Sequence, residues 1–435
     1  MSPTAGQAAT PAAPRPSLAG RIGRTTVAVA LGIISFGALA FAGLTISRAE
    51  ASPPSLPGTT GPRPTPADGA IVVAVVLGRS GSDTADAFAP FEVFGSSPAF
   101  SVYTVADSLE PAPMEGGLSV VPSYTFDDVA AGTAPAPDVI VVPAVNSPAG
   151  PEEQAARDFV TRQFRDGGRV LGICAGSRLL AASGVLDGLR ATSHWSRISA
   201  LEASNPAVTW IRGQRYVQDG RVTTTGGVTS SIAGSLKVMA DLAGAAEATR
   251  VGTLINYPGW SLDAPSAMPA QSFAVGDVPV LANAAFPWGR PTIDVQLEDG
   301  VGEIDAAAVF EVYSYSQAAS ATALSKTGEI TTRHGLLVRT AAIGLPKREV
   351  VVPGSVTSRG GLHGFDAAFE QLSRTTGPTV VKSISKMLEY PIDRVVIDDA
   401  PVSARARPGV MTALGVLIAL AAGAVPSIIR RARHR

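Results

Sequence analysis

The sequence predicts an α/β protein, a three-layer sandwich with a mostly parallel central sheet, and three observations support this class. Short apolar runs at residues 71–77 and 138–143 are typical of strands buried on both faces of a parallel sheet. Helical patterns, such as residues 152–164, separate these runs, so strands and helices alternate along the chain. A chain of 435 residues is also long enough for two or three domains.

Composition excludes several classes of protein. A net charge of −1 gives no electrostatic basis for binding nucleic acid. The single cysteine, Cys174, excludes an internal disulfide framework and a cysteine-rich metal site. The four histidines are scattered without metal-ligand spacing, and no glycine-rich nucleotide loop follows a strand. We therefore expect no metal and no other cofactor.

The N-terminal segments predict a membrane anchor. Residues 1–24 are rich in Ala, Pro and Ser and carry arginines, which predicts a disordered cytoplasmic tail. Residues 25–46 are uncharged and long enough to form a transmembrane helix. Residues 49–51 (AEA) fit a signal-peptidase site, so a cleaved signal peptide is the alternative, although the length of the apolar segment favours an uncleaved anchor. Residues 47–70 form a Pro-rich linker.

A second apolar segment lies near the C-terminus. Residues 409–429 are uncharged and have transmembrane length, and residues 430–435 form a basic cytoplasmic tail. A buried core helix is the alternative for this segment. Arginines cluster outside both apolar segments, at the chain ends. By the positive-inside rule, this predicts a multi-pass protein of the cell membrane with both termini in the cytoplasm and the main domains outside it.

The most informative stretch surrounds Cys174. The sequence Gly172-Ile173-Cys174-Ala175-Gly176 follows an apolar run and precedes a helical pattern, as in a nucleophile elbow. At a helix N-terminus the thiol is expected to have a lowered pKa, and the N–H groups of the elbow, including those of Ala175 and Gly176, could stabilise an oxyanion. The alternative is a buried cysteine in a glycine-rich core turn.

These residues resemble a known family. The elbow, the block 191–195 (ATSHW) and the segment 86–94 (DAFAPFEVF) are similar to the ThiJ/PfpI (DJ-1/PfpI) family, near isocyanide-hydratase-like proteins and the amidase-like domain of AraC-type regulators. The resemblance implies a class I glutamine amidotransferase-like (flavodoxin-like) fold for residues 71–258. Ala175 stands where hydratases of the family carry Thr or a similar polar residue, and Ala233 stands where the family carries Asp.

The resemblance also implies partners for Cys174. Asp86 would face the thiol, and burial would raise the pKa of its carboxyl and make it a proton partner. A helix N-cap is the alternative role for Asp86. His194 could return toward the site, or it could be a hydrogen-bonded structural residue. Glu92 lies on the same helix as Asp86 and is expected to be exposed.

The second half of the chain repeats part of the first. Residues 304–313 match 85–94, with Glu311 aligned to Glu92, and residues 360–391 match 226–258. The repeat, residues 293–400 after a connector at 259–292, lacks the elbow and its cysteine. We therefore expect a degenerate copy that packs on the first as a subunit packs in a family homodimer, which would make the chain a monomeric pseudo-dimer. Shared α/β patterning is the alternative.

Two functions remain open from the sequence. In the first, Cys174 is the nucleophile of a hydrolase or hydratase acting on a small amide, isocyanide or reactive carbonyl. In the second, the domain is a non-catalytic module of the membrane that senses a ligand or the redox state through Cys174. The elbow favours the first function, and the residues Ala175 and Ala233 favour the second.

Overall fold

The fold was analysed in a computed structural model, which describes residues 18–48, 60–354, 361–398 and 401–433. The elements up to residue 255 are, in chain order, α1 (Leu18–Arg48), β1 (Ile71–Val76), α2 (Thr84–Gly95), β2 (Phe100–Ala106), β3 (Ala112–Met114), β4 (Leu118–Val120), β5 (Tyr124–Thr125), α3 (Phe126–Ala130), β6 (Val139–Val142), α4 (Gln154–Arg165), β7 (Arg169–Gly172), α5 (Ser177–Ala182), β8 (Arg190–Ala191), α6 (Trp195–Ser204), β9 (Thr209–Trp210), β10 (Tyr216–Asp219), β11 (Val222–Thr225), α7 (Ser230–Ala243) and α8 (Ala245–Ile255). The elements that follow are α9 (Val278–Ala285), β12 (Thr292–Gln296), α10 (Glu303–Ser316), β13 (Ser320–Ser325), β14 (Glu329–Thr331), β15 (Leu337–Arg339), β16 (Ala342–Ile343), β17 (Glu349–Val351), α11 (Gly364–Thr375), α12 (Pro378–Leu388) and α13 (Val402–Arg433).

The first unit is built on a seven-stranded sheet in the order β10-β11-β7-β6-β1-β2-β5. Its strands are parallel except β10, which pairs antiparallel with β11. One buried cluster, with residues of α2, α7 and α8, covers one face of the sheet, and a second, with residues of α3 to α6, covers the other. The α/β class and the mostly parallel sheet predicted from the sequence are therefore confirmed.

The second unit is built on a four-stranded parallel sheet in the order β16-β13-β12-β17. This order corresponds to β5-β2-β1-β6 in the first sheet. Helix α10 packs against α2, and the buried apolar cluster on that face of the first sheet continues into the second unit. The two units therefore share one hydrophobic core.

A third sheet joins the two units. Its order is β14-β15-β4-β3, and all of its pairs are antiparallel. Strand β4 of the first unit pairs with β15 of the second, with Val120 opposite Val338 and Ser119 opposite Arg339. The backbone of the two units is thus hydrogen-bonded across their interface.

The two terminal helices pack against each other and against α9. Segments Val29–Ser47 of α1 and Arg405–Ala422 of α13 are long and apolar enough to cross a membrane. Length and composition alone identify them, and a signal sequence near the N-terminus or the core helix of a soluble protein would meet the same criteria. Both helices extend beyond the predicted segments, because α1 already begins at Leu18 and α13 at Val402.

The structure describes parts of the predicted tail, linker and connector, and of these only the tail needs correction. Residues 18–24 are helical, whereas the rest of the predicted tail, 1–17, lies outside the described residues. The end of the linker contacts the first unit, because Arg63 Nε donates to the carbonyl of Ser123 at 3.1 Å. The connector contains α9, which contacts α1 through the hydroxyl of Ser47, a donor to the Ala284 carbonyl at 2.8 Å.

Candidate functional site

Cys174 lies immediately beyond the end of β7, at the sharp turn into α5. Its φ of +51° is in the left-handed region, which a non-glycine residue adopts only under strain. Close packing requires glycine at Gly176 and favours it at Gly172. A Cβ at Gly176 would lie 2.1 Å from the carbonyl oxygen of Val142, and one at Gly172 would lie 2.5 Å from the Leu180 side chain. The predicted elbow is therefore formed.

The backbone donors of the elbow are mostly engaged. The Cys174 N–H donates to Thr225 Oγ1 at 3.1 Å, and the Gly176 N–H donates to the Ile173 carbonyl at 2.6 Å. The Ala175 N–H interacts with the Cys174 sulfur. The prediction that Gly176 donates to an oxyanion is therefore wrong in this conformation, because its N–H closes the turn.

The block at residues 191–195 is hydrogen-bonded to the elbow. The carbonyl of Cys174 accepts hydrogen bonds from the hydroxyls of Ser177 at 3.1 Å and Ser193 at 3.2 Å. The two hydroxyl oxygens also lie 2.7 Å apart, within hydrogen-bond distance of each other. Both serines are buried. These contacts fix the strained backbone of Cys174 to the chain that follows α5.

The environment of the thiol corrects the expected pKa. Only 2 % of Cys174 is exposed, and burial raises the pKa of its thiol well above the usual value. The carboxylates of Asp86, Asp83 and Glu389 raise it further, whereas the Ala175 N–H lowers it. The following helix, α5, has only six residues. The prediction of a lowered pKa fails because desolvation and negative charges outweigh a short helix dipole.

Asp86 is buried on α2 beside this thiol. Its Oδ2 accepts from the Ala144 N–H at 3.0 Å, and its Oδ1 has no hydrogen-bond partner among the described residues. Burial and the charge of Asp83 raise the pKa of Asp86 well above its usual range. Asp83, and not Asp86, caps the helix, because its side chain accepts from the Asp86 N–H at 3.2 Å. The alternative role of Asp86 as N-cap is therefore wrong.

The second unit contributes side chains that the sequence did not identify. Glu311 Oε1 of α10 accepts from the Ala85 N–H at 2.8 Å, and the Tyr315 hydroxyl donates to Asp83 Oδ2 at 3.3 Å. Carboxylate oxygens of Asp83, Glu115 and Glu311 lie within 4.8 Å of one another. Burial raises the pKa of Glu311 well above its usual range, which favours its protonated form. The absence of a metal stays a prediction.

His194 lies at the N-cap of α6, and both of its ring nitrogens are engaged away from Cys174. Nε2 donates to the Met387 carbonyl at 2.8 Å, so Nδ1 accepts from Ser196, whose Oγ is 2.7 Å away. Burial lowers the pKa of His194 to about 4, which keeps the ring neutral. The geometry corrects the predicted catalytic role and matches the alternative, a structural histidine that links the two units.

Glu92 is also buried, contrary to expectation. It is 6 % exposed, and its Oε2 accepts from the Ile304 N–H of the second unit at 2.6 Å. Arg333 lies 3.4 Å from Oε1, yet burial and the charge of Glu303 raise the pKa of Glu92 to about 8. This burial does not follow from the residues near Glu92, because the helix that covers it begins more than 200 positions later.

The chain is similar to proteins of one known family. A model of the DJ-1/PfpI family matches residues 72–241. Isonitrile hydratase from Pseudomonas putida is 33% identical over 174 residues, which cover 40% of this chain and 72% of that enzyme. The chain belongs to the DJ-1/PfpI family. Its elbow, Asp86 and the block 191–195 all fall within the matched residues.

A transcriptional regulator and a solved structure also match part of the chain. The HTH-type transcriptional regulator CdhR of Pseudomonas aeruginosa is 30% identical over 120 residues, which are 28% of this chain and 34% of the regulator. A solved ThiJ/PfpI family protein from Pseudomonas syringae is 28% identical, with a TM-score of 0.39. The match covers 46% of this chain and 82% of the Pseudomonas syringae protein.

Proposed function

We propose that the protein is a membrane-anchored hydratase that adds water to a small isocyanide at Cys174. The observation that carries this proposal is the pairing of a strained, buried thiol with a buried carboxyl, Asp86, one oxygen of which has no hydrogen-bond partner among the described residues. Similarity to isonitrile hydratase supports the same substrate class.

The proposed reaction creates no net charge in the buried site. The Cys174 sulfur bonds to the isocyanide carbon, while the thiol proton passes through the Asp86 carboxyl to that carbon, which gives a thioimidate, Cys–S–CH=N–R. Water then adds to the thioimidate carbon, with one proton going to nitrogen. The C–S bond breaks, the hydroxyl proton returns to sulfur, and the formamide R–NH–CHO leaves. A neutral thiol and a protonated Asp86 suit this relay, because burial disfavours their charged forms.

Amide hydrolysis fits the site less well. An amide passes through a tetrahedral oxyanion, which needs donors aimed at its oxygen. The N–H groups of Cys174 and Gly176 are already bonded to Thr225 and Ile173, which leaves the Ala175 N–H near the sulfur. Isocyanide hydration forms no such oxyanion in its first step.

Redox or ligand sensing is the second candidate, and the burial of Cys174 favours it. A thiol that is 2 % exposed and has a raised pKa reacts slowly without an activating partner. The match to CdhR supports a regulatory relative of this domain. In this alternative, oxidation or ligand binding at Cys174 would alter the contact between the two units without turnover.

We also propose that the second unit, residues 293–400, is a truncated second copy of the family fold. Support comes from the corresponding strand orders of the two sheets. Matching elements also contact each other, α2 with α10 and β4 with β15, as expected of a two-fold related pair. The surface that a second chain would use is then covered internally, so light scattering of the detergent-solubilised chain should report a monomer. A stable dimer would contradict this.

Anchoring rests on α1 and α13. If both span the cell membrane with cytoplasmic termini, the two units lie outside the cytoplasm. A reporter fused after Arg435 should then be active only as a cytoplasmic reporter, and protease added to spheroplasts should cleave within residues 50–59. Protection of that segment would reverse the proposed topology.

The catalytic proposal is tested by product formation. The full chain in detergent should convert a small alkyl isocyanide to its formamide, followed by NMR, and should leave the matching amide intact. Cys174→Ala should abolish conversion, and Asp86→Asn should slow it by about 10²–10⁴-fold, the usual contribution of a general acid–base. If no isocyanide is converted but peroxide oxidises Cys174 reversibly, the sensing function holds instead.

A further inference from the structure

Two glycines between β11 and α7 leave space that a side chain of the second unit fills. A Cβ at Gly226 would lie 2.6 Å from Glu389 Oε2, and a Cβ at Gly227 would lie 2.7 Å from the Glu389 carboxyl carbon. Glu389 Oε2 accepts from the Gly227 N–H at 2.5 Å and from the Ser230 hydroxyl at 2.8 Å. The carboxylate is therefore held in a built site on the first unit.

This carboxylate is anchored beside the elbow. Thr225, which accepts the Cys174 N–H at 3.1 Å, is two residues before Gly227, so the thiol and the carboxylate are fixed to the same strand end. Glu389 is 8 % exposed, and its Oε1 has no hydrogen-bond partner among the described residues. Its charge acts on the Cys174 thiol.

The equivalent position in the first unit carries an amide. Asn256 and Glu389 each follow the last helix of their unit, and each has a φ of +54°. Asn256 contacts the second unit in the reciprocal manner, because its side-chain amide donates to the Gly361 carbonyl. The first unit, which has the thiol, is therefore contacted by a carboxylate. The second unit, which has no cysteine, is contacted by a neutral amide.

We propose that Glu389 is a positioning residue of the Cys174 site, supplied by the second unit, whose carboxylate favours the protonated form of the thiol. Its role in turnover rests on the proposed hydratase function, but its effect on the thiol does not. The first unit's proposed site would then be incomplete without the second unit.

The groups around Glu389 determine its pKa, and therefore the pH above which it is charged. Burial raises the pKa of Glu389 to about 7. The hydrogen bonds from Ser230 and Gly227 and the positive charge of Arg215 lower it, but by less than burial raises it. Tyr257 is a further titratable neighbour, whose hydroxyl donates to the Glu389 carbonyl at 3.4 Å, and His194 bonds the carbonyl of Met387, two residues before Glu389. The thiol is faced in addition by Asp86, Asp83 and Tyr315. Ionisation of Glu389 above about pH 7 therefore adds to the effects of burial, Asp86 and Asp83, which raise the pKa of the thiol.

The single cysteine permits a direct test. Full-length chain in detergent, labelled with ¹³C at the cysteine Cβ, gives one cysteine signal, which is titrated by NMR. We expect a small inflection near pH 7 from Glu389 and a larger one at high pH from the thiol. Glu389→Gln keeps acceptors for Gly227 and Ser230, should remove the first inflection, and should lower the thiol midpoint by about 1 pH unit.

The control is Glu92→Gln, which changes a buried interface carboxyl that does not act on Cys174 and should leave both inflections in place. A wild-type titration without the inflection near pH 7, or a folded Glu389→Gln chain with an unchanged midpoint, would overturn the assignment. If the titrations behave as expected but no isocyanide is converted, only the hydratase proposal is contradicted. Conversion combined with unchanged titrations would contradict only the role of Glu389.

Discussion

Glu92 and Glu311 make the same hydrogen bond in opposite directions across the interface of the two units. Glu92 of α2 accepts from the Ile304 N–H at 2.6 Å, and Glu311 of α10 accepts from the Ala85 N–H at 2.8 Å. Each glutamate thus binds the first turn of the helix that carries the other. Such reciprocity is the property of an isologous interface.

Removing either glutamate should destabilise the whole molecule. Glu311→Ala and Glu92→Ala each leave a buried N–H without its acceptor, which costs about 1–3 kcal/mol. The matched control is Glu298→Ala, because the Glu298 side chain is 62% exposed and its ion pair with Lys326 is on the surface. Thermal unfolding in detergent measures the three variants. Equal melting temperatures for all three would show that the interface does not contribute to stability.

Glu92 should also make stability depend on pH in a defined direction. Its pKa is raised from 4.5 to about 8 in the folded chain, so the folded state binds the proton more tightly. The resulting stabilisation is present below pH 4.5 and is lost as pH rises toward 8, by roughly 1.4 kcal/mol per pH unit. The free energy of unfolding of wild type relative to Glu92→Gln should fall over this range. A constant difference from pH 5 to 8 would contradict the buried, protonated state.

His194 should matter for stability rather than for thiol chemistry. His194→Ala removes the hydrogen bond to Met387 and the helix cap at Ser196, a loss of about 1–3 kcal/mol at pH 7. Because the pKa of His194 falls from 6.5 to about 4 on folding, wild type should lose its advantage over the variant as pH falls through this range. The rate of Cys174 alkylation in His194→Ala should stay within about threefold of wild type. Loss of a general acid–base residue would instead lower it by about 10²-fold or more. A hundredfold drop in a folded variant would restore the catalytic role.

The strain at the elbow predicts an unusual ranking of two substitutions. Cys174→Gly should be more stable than Cys174→Ala by about 1 kcal/mol, because glycine adopts a φ of +51° without steric cost. In an unstrained turn the order would be reversed, since glycine loses more entropy on folding. Urea unfolding of the two variants, compared at one pH, measures the difference.

Local motifs predicted the parts of the site that depend on neighbouring residues. The elbow at Cys174 and the position of Asp86 near it follow from short patterns and from the family resemblance. Glu311 and Glu389 could not be assigned in this way, because their contacts with Ala85 and Gly227 join residues that are 226 and 162 positions apart. The proposed repeat was the available signal, since it aligned Glu311 with Glu92. The pKa of Cys174 was mispredicted for the same reason, as its burial depends on packing across the whole chain.

The bond between Cys174 and the substrate carbon is the central step of the proposed function. Intact-protein mass spectrometry after rapid acid quenching tests this, because the chain has one cysteine and one adduct is expected. Wild type mixed with a small alkyl isocyanide should gain the mass of one isocyanide, at Cys174, and Cys174→Ser and Cys174→Ala should gain none at the same time point. Formamide production by a folded Cys174→Ala chain at the wild-type rate, or a wild-type chain that forms neither adduct nor formamide, would contradict the account.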